Sequence, residues 1–139
     1  MILVVADMVP KAVIEELTHP QAPTIVRAWL NGRPEWLEIR EIRAPPDPQL
    51  AGLDAGEREA IQLAQEVPAD LVLIDERRGV KLAQPRGIPV TGTLGVLLQA
   101  ARRGFVDIDM ALPRLQATDF RNTPQLLEHL RKSALGGFL

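Results

Sequence analysis

The sequence predicts an α/β fold, a parallel sheet with helices on both faces, because strand-like and helical patterns alternate along the chain. Two apolar runs, residues 2–6 and 71–74, consist of consecutive apolar residues, which is typical of strands buried on both faces. Each run ends in an acid, Asp7 or Asp75. The carboxyl ends of parallel strands form the ligand-binding edge of such a sheet. Two carboxylates at that edge therefore indicate a divalent-metal site.

Most of the predicted helices begin at a recognisable capping signal. Proline at position 10 occupies the first turn of a helix over residues 11–17. Asp54 and Glu57 have the spacing of a capping box, with Asp54 as the N-cap, and Ala60, Ile61 and Ala64 follow as an apolar stripe. Thr93 and Thr123 are N-cap candidates, the second with proline directly after it. The other helices are expected up to about residue 30 and over 76–83, 94–101, 109–116 and 123–132.

The remaining segments read as short strands, turns and loops. Residues 36–40 alternate as in a half-exposed strand, and residues 87–91 form a short strand. Residues 31–34 form a turn, and residues 44–48 form an extended, proline-rich loop. With 139 residues and no internal repeat, the chain is expected to form one domain over 1–139, with residues 133–139 as a tail.

Composition excludes several kinds of site. There are no cysteines, which removes disulfides, thiolate catalysis and Cys-based zinc sites. His19 and His129 are too few and too distant in sequence for a zinc site, so a bound metal should be a hard cation, Mg²⁺ or Mn²⁺, with oxygen ligands. The 4% aromatic content argues against a base-stacking platform. Without a secretory signal or a membrane-spanning run, we expect a cytoplasmic protein.

The net charge of −2 conceals an asymmetry between the two parts of the chain. Residues 1–76 contain 14 acids and 6 bases, a balance of −8, whereas residues 77–139 contain 4 acids and 10 bases, a balance of +6. This division suits a metal-dependent phosphodiesterase, in which acids hold cations and bases hold the phosphate backbone. Solvated helix faces are the simpler explanation of the charge counts taken alone.

Three runs in a fixed order resemble the PIN-domain family: residues 53–61 (LDAGEREAI), 70–79 (DLVLIDERRG) and 87–97 (GIPVTGTLGVL). With residues 9–17 (VPKAVIEEL), they are similar to a branch of small predicted nucleic-acid-binding proteins related to VapC-type toxins. The resemblance covers most of residues 2–131. It implies a three-layer α/β/α fold with a central parallel sheet, and RNA cleavage that depends on Mg²⁺ or Mn²⁺. It also implies a homodimer and, for a toxin, a cognate antitoxin protein.

The resemblance places the four acids of the family site on Asp7, Glu16, Glu57 and Asp75, with Glu76 a possible substitute for the last. These residues would be both the catalytic and the metal-binding groups. Each also has an ordinary structural explanation. Asp75 could cap the next helix, Glu57 could complete the capping box, Asp7 could be a turn residue, and Glu16, like Glu15 beside it, could be a solvated helix residue.

Candidate substrate contacts follow from the same resemblance. Thr91 and Thr93 match a threonine that the family has near its last strand. Arg77 and Arg78 would track the phosphates of RNA, although an exposed basic helix face explains them equally well.

One departure from the family pattern lies directly after Asp7. Relatives usually have a polar residue there, followed by a helix and the approach to a second strand, whereas this chain continues with Met8-Val9-Pro10. A parallel crossover needs about a dozen residues, which two residues cannot supply. Either this is a deletion or a segment is missing from the numbering, and we favour the missing segment.

Three functions are therefore considered from the sequence. The first is a PIN-type ribonuclease, which would be a toxin if the gene is paired with an antitoxin. The second is a catalytically inactive module of the same fold that binds nucleic acid or protein. A small-molecule phosphohydrolase is the third, but no phosphate-cradling glycine loop or acylphosphate motif supports it.

Overall fold

The computed structural model describes residues 7–136, and the strand predicted over 2–6 lies outside them. The strands are β1 (Asp7–Pro10), β2 (Leu37–Arg40), β3 (Val72–Leu73) and β4 (Val90–Thr91). The helices are α1 (Lys11–Thr18), α2 (Thr24–Asn31), α3 (Ala55–Glu66), α4 (Arg77–Ala83), α5 (Thr93–Arg102), α6 (Ile108–Gln116) and α7 (Pro124–Gly136). Short 3₁₀ helices cover Pro48–Leu50 and Gln84–Arg86.

The chain divides at residue 90 into two compact units. The amino-terminal unit contains β1 to β3 and α1 to α4, and the carboxyl-terminal unit contains α5 to α7. The single domain expected over residues 1–139 stays a prediction. The helix α7 extends to Gly136, so the beginning of the expected 133–139 tail is helical.

The strand β1 explains the short link after Asp7. Its four residues are continuous and pair in parallel with β2, with Asp7 opposite Leu37 and Pro10 opposite Arg40. The expectation of a missing segment stays a prediction. Met8 and Val9 belong to the same strand as Asp7, and the crossover from β1 to β2 is made by α1 and α2, which are long enough for it.

The strand β3 is buried on one face, not on both as predicted. Val72 and Ile74 are buried, whereas Leu71 and Leu73 are 56% and 59% exposed. Alternate residues of a strand point to opposite faces, and only the Val72–Ile74 side packs into the core. The Val72 N–H donates a 2.9 Å hydrogen bond to the carbonyl of Pro89, just before β4.

The core of the amino-terminal unit is built around α3. Ile61 is fully buried and Ala64 is 8% exposed, and Ala60 packs against the same cluster, which confirms the predicted apolar stripe. The buried members of this cluster are Leu50, Leu53, Ile61, Ala64, Val72, Ile74, Ala83 and Ile88. Several elements of this unit therefore contribute buried side chains to one core.

Polar contacts hold the extended loop before α3 in place. The Glu66 carboxylate accepts hydrogen bonds from the backbone N–H groups of Arg43 and Ala44, which lower its pKa. Arg86 pairs with Asp47 at 2.8 Å, and the same guanidinium lowers the pKa of that carboxyl. The loop that delivers the start of α3 is thus anchored to α3 itself and to the turn after α4.

The carboxyl-terminal unit is a small helical cluster. Ile108, Leu112, Leu127 and Leu130 are buried together. The Thr123 hydroxyl accepts a hydrogen bond from the backbone N–H of Leu126, as expected of an N-cap, and Pro124 is the first residue of α7. Across residues 7–136, no helix combines the length and the apolar character needed to cross a membrane.

Candidate functional site

Two glutamates tie α1 and α3 together in opposite directions. Glu16 Oε1 accepts a hydrogen bond from the backbone N–H of Gly56 at 3.2 Å, and Glu59 Oε2 accepts one from Ala12 at 2.7 Å. Both N–H groups lie in the first turn of a helix, where they have no partner within the helix and where a carboxylate also suits the helix dipole. The sequence-predicted Glu16 is therefore fixed at the beginning of α3.

Glu57, the next residue after Gly56, is a partly buried acid with other acids near it. Burial raises the pKa of its carboxyl, and the negative charges of Asp54 and Glu76 raise it further. A hydrogen bond from the Asp54 backbone and the charge of Arg78 act in the opposite direction. The predicted capping box is therefore half formed, since the Asp54 side chain makes no capping hydrogen bond.

Two buried glycines leave room for these carboxylates. A Cβ on Gly56 would lie 2.8 Å from Glu16 Oε1. A Cβ on Gly79, in α4, would lie 2.9 Å from Cγ2 of Ile74 and 3.8 Å from Cδ of Glu57. The absence of side chains at these two positions lets Glu16 reach the backbone of α3 and lets α4 pack closely beside Glu57.

The beginning of α4 carries the other predicted acid and both predicted arginines. Asp75 is exposed and follows Ile74, at the end of the β3 segment. The N-cap of α4 is Glu76, so the alternative assignment of Asp75 as N-cap is wrong. Arg77 and Arg78 are exposed in the first turn, where the helix dipole disfavours positive charge. For Arg78, the negative charge of Glu57 lies close enough to act on it electrostatically.

Arg78 lies across the loop before α3. A Cβ on Gly52 would lie 2.8 Å from Nη2 of Arg78, and this guanidinium also acts electrostatically on Glu57. Arg78 thus joins the cluster of charges at the start of α3. The sequence predicted Asp54 as an N-cap and Arg78 as a phosphate contact or part of an exposed basic face, and it gave no signal for the approach of Arg78 to Gly52.

Asp7 is the first residue of β1, exposed, with its backbone N–H bonded to the Trp36 carbonyl at 3.0 Å. The strand continues for three residues before α1 begins, which places Asp7 about 10 Å from that helix along the strand. Asp7 is therefore the first residue of β1, whereas the sequence predicted it at the carboxyl end of a strand.

The two threonines lie at the start of the carboxyl-terminal unit. The Thr91 hydroxyl lies against Gly95 in the first turn of α5, so closely that no Cβ would fit there. Thr93 is the first residue of α5, and the N-cap is Gly92, so the prediction of Thr93 as N-cap is wrong. Packing against Gly95 is a structural role for Thr91 that the sequence did not reveal.

The donor chemistry at the start of α3 fits a hard cation, but the ligand geometry is not closed. Within residues 7–136, no three Asp, Glu or His side chains are arranged so that they could share a metal ion. Carboxylate oxygens are nevertheless the ligands that Mg²⁺ and Mn²⁺ prefer. Burial and, after it, neighbouring negative charges raise the pKa of Glu57, and a nearby cation would lower it. We therefore regard Glu57, with Glu16 and the acids near it, as the centre of the candidate site.

Comparison with known proteins gives one match. A family model for the PIN domain matches residues 4–135, a range that includes every acid, arginine and threonine considered above. No curated protein and no solved structure gave a significant match.

Proposed function

The chain belongs to the PIN-domain family, and we propose that it is a ribonuclease that depends on Mg²⁺ or Mn²⁺. Membership confirms the family and the α/β fold class predicted from the sequence. PIN domains are generally nucleases and typically use divalent metals, which supports a hydrolase activity. We further propose that the substrate is RNA and that the ion is Mg²⁺ or Mn²⁺. The similarity to VapC-type toxins is also part of the proposal.

The observation that carries the proposal is the environment of Glu57. Its carboxyl is partly buried, and this burial raises its pKa. The negative charges of Asp54 and Glu76 raise the pKa further. A titratable group perturbed both by burial and by specific charged neighbours is typical of a functional site.

In the proposed enzyme, Asp7, Glu16, Glu57 and Asp75 would hold the cation. A bound Mg²⁺ or Mn²⁺ would lower the pKa of a water molecule and neutralise charge on the phosphate. Glu16 is already oriented by the Gly56 N–H, and Glu57 by the Asp54 backbone. The protein therefore contributes carboxylates whose positions are set by helix starts before substrate binds.

Arginines at the start of α4 would contact the RNA. Arg77 and Arg78 are exposed next to the acids, and a guanidinium binds a phosphate through two parallel hydrogen bonds. Thr91 and Thr93 are the further substrate contacts that we propose. Arg78 would then exchange its interaction with Glu57 for one with a phosphate.

The proposed setting is a cytoplasmic homodimer whose activity is held in check by a cognate antitoxin protein. The support for this setting is the resemblance to VapC-type toxins. Size-exclusion chromatography with light scattering measures the oligomeric state directly.

The test is cleavage of labelled single-stranded RNA by the full chain in the presence of Mn²⁺. We expect cleavage by the parent protein, and a rate reduced about a hundredfold or more in Asp75→Asn, because a carboxylate ligand of the cation is lost. Glu128→Gln, a glutamate of α7, is the matched control and should cleave at the parental rate. A folded Asp75→Asn variant that cleaves as fast as the parent would contradict the assignment.

A non-catalytic binding module is the second candidate. Met8 stands where relatives usually have a polar residue, and no three-acid group is closed within residues 7–136. Calorimetric titration with Mn²⁺ separates the two candidates. The nuclease should bind with a Kd of about 1 mM or tighter, whereas the inactive module should give no saturable heat.

A further inference from the structure

A recess of about 510 Å³ lies beside Glu16, between α1 and α3. Its polar lining consists of Glu15, Glu16, His19 and Gln21, and its apolar lining consists of alanine methyl groups. The volume is within the range of pockets that hold a small organic ligand. The recess is open to solvent, and its polar side chains are exposed, so they are accessible to an RNA.

The turn after α1 holds His19 by three of its atoms. Its backbone N–H donates to the Glu16 carbonyl at 3.3 Å, and its carbonyl accepts from Ala22 at 2.8 Å. Its Nδ1 accepts a hydrogen bond from the backbone N–H of Gln21 at 3.1 Å. Because an accepting Nδ1 carries no proton, the neutral ring must carry its proton on Nε2. Within residues 7–136, Nε2 makes no hydrogen bond, so it remains available as a donor to a ligand.

The two carboxylates determine what kind of ligand can enter. Glu16 is oriented by the Gly56 N–H, whereas the Glu15 carboxylate accepts no hydrogen bond within the described residues. Two negative charges repel a phosphate, so the part of an RNA that enters must be a sugar or a base. The recess therefore offers one hydrogen-bond donor, His19 Nε2–H, and unoccupied acceptors on Glu15.

We infer that this recess binds an unpaired guanine base of the RNA, an inference that rests on the proposed function. The Watson–Crick edge of guanine presents one acceptor, O6, followed by two adjacent donors, N1–H and the exocyclic amino group. His19 Nε2–H matches the acceptor, and the two oxygens of Glu15 match the two donors. Adenine, cytosine and uracil each present only one donor on that edge, so they leave a Glu15 oxygen unpaired.

The position of Glu16 connects the recess to the proposed chemistry. Glu16 lines the recess and is also one of the four proposed catalytic acids. A guanine held there would lie beside the carboxylates at the start of α3. The nuclease would then cleave at a fixed position relative to an unpaired guanosine.

The test measures binding of short fluorescein-labelled RNAs to full-length Asp75→Asn by fluorescence anisotropy, with the RNA checked for integrity. The RNAs are uridine runs with one central guanosine, or with inosine or adenosine at that position. Inosine lacks only the amino group of guanosine. We expect about tenfold weaker binding of the inosine and adenosine RNAs, the discrimination typical of one bidentate contact. Glu15→Gln and His19→Phe, in the same background, should reduce the preference below about twofold.

A second recess supplies matched controls. It has a volume of about 460 Å³, belongs to α7, and is lined by Glu128 and His129 among others. Glu128→Gln and His129→Phe should keep the guanosine preference. Equal binding of all three RNAs, or a preference that survives Glu15→Gln and His19→Phe, would overturn the guanine site. If the guanine site holds but the nuclease proposal fails, the protein will bind guanosine RNA selectively and the parent protein will not cleave it.

Discussion

Glu16, near the end of α1, accepts a hydrogen bond at 3.2 Å from the backbone N–H of Gly56, which lies 40 residues further along the chain at the start of α3. This contact fixes the carboxylate of Glu16, one of the four candidate ligands, at the backbone of the residue before Glu57, another of them. A capping interaction between two helices thereby also organises the candidate site.

Gly56→Ala tests whether this contact matters for activity. The new Cβ would lie 2.8 Å from Glu16 Oε1, so the carboxylate must move. We expect RNA cleavage to fall about tenfold or more, as for residues that orient ligands. The free energy of unfolding should change by no more than about 1 kcal/mol, because alanine is the better helix former and offsets the lost hydrogen bond.

The control for this substitution is Gly32→Ala, where a Cβ would meet no atom within 4 Å. It should leave both cleavage and urea unfolding close to the parental values. Parental cleavage by Gly56→Ala would show that the orientation of Glu16 is not important.

The pKa of Glu57 should respond in opposite directions to its two charged neighbours. Glu76→Gln removes a negative charge and should lower this pKa, whereas Arg78→Gln removes a positive charge and should raise it. NMR titration of the labelled carboxyl carbon measures both. Shifts in the same direction in the two variants would contradict the proposed charge cluster.

The raised pKa of Glu57 also predicts a pH dependence of stability. The folded protein retains this proton at pH values where the unfolded chain, with the ordinary value of 4.5, has lost it. Stability is therefore lost as the pH rises from about 4.5 through the raised folded pKa. Urea unfolding should show Glu57→Gln gaining stability relative to the parent from about pH 4 to about pH 7. A constant difference across that range would contradict the assignment.

Gly79 and Gly52 should differ in their tolerance of alanine. In Gly79→Ala, the Cβ would lie 2.9 Å from the buried Ile74 side chain, and we expect a loss of about 1–3 kcal/mol in the free energy of unfolding. In Gly52→Ala, it would meet the end of the flexible Arg78 side chain, which can move away. Urea unfolding should therefore show little change for Gly52→Ala, and equal losses for the two variants would refute this packing.

Local signals in the sequence predicted much of the fold, because the residues that start helices act on their own neighbours. Thr123 caps α7 as expected, and Ile61 and Ala64 face the core. The prediction that residues 71–74 are buried on both faces was wrong. Four consecutive apolar residues do not reveal that one face of the strand lacks a covering layer. Its exposed face, Leu71 and Leu73, depends on tertiary packing.

The candidate site was only partly predictable for a related reason. The resemblance predicts Asp7, Glu16, Glu57 and Asp75 as site residues, but the contact of Glu16 with Gly56 joins distant parts of the chain and has no local signature. The effect of Glu76 and Arg78 on Glu57 likewise arises only when α4 packs beside α3. The position of Asp7 in β1 was also not predictable from its neighbours in sequence, because it depends on pairing with β2.

The most direct test of the account is the rate of RNA cleavage by the parent protein and by Glu57→Gln as a function of Mn²⁺ concentration. The account predicts a parental rate that rises with Mn²⁺ and saturates. In the folded variant, the rate should be reduced about a hundredfold or more. Equal rates for the two proteins, or a parental rate independent of Mn²⁺ and insensitive to chelator, would contradict the claim that carboxylates at the start of α3 form a metal-dependent nuclease site.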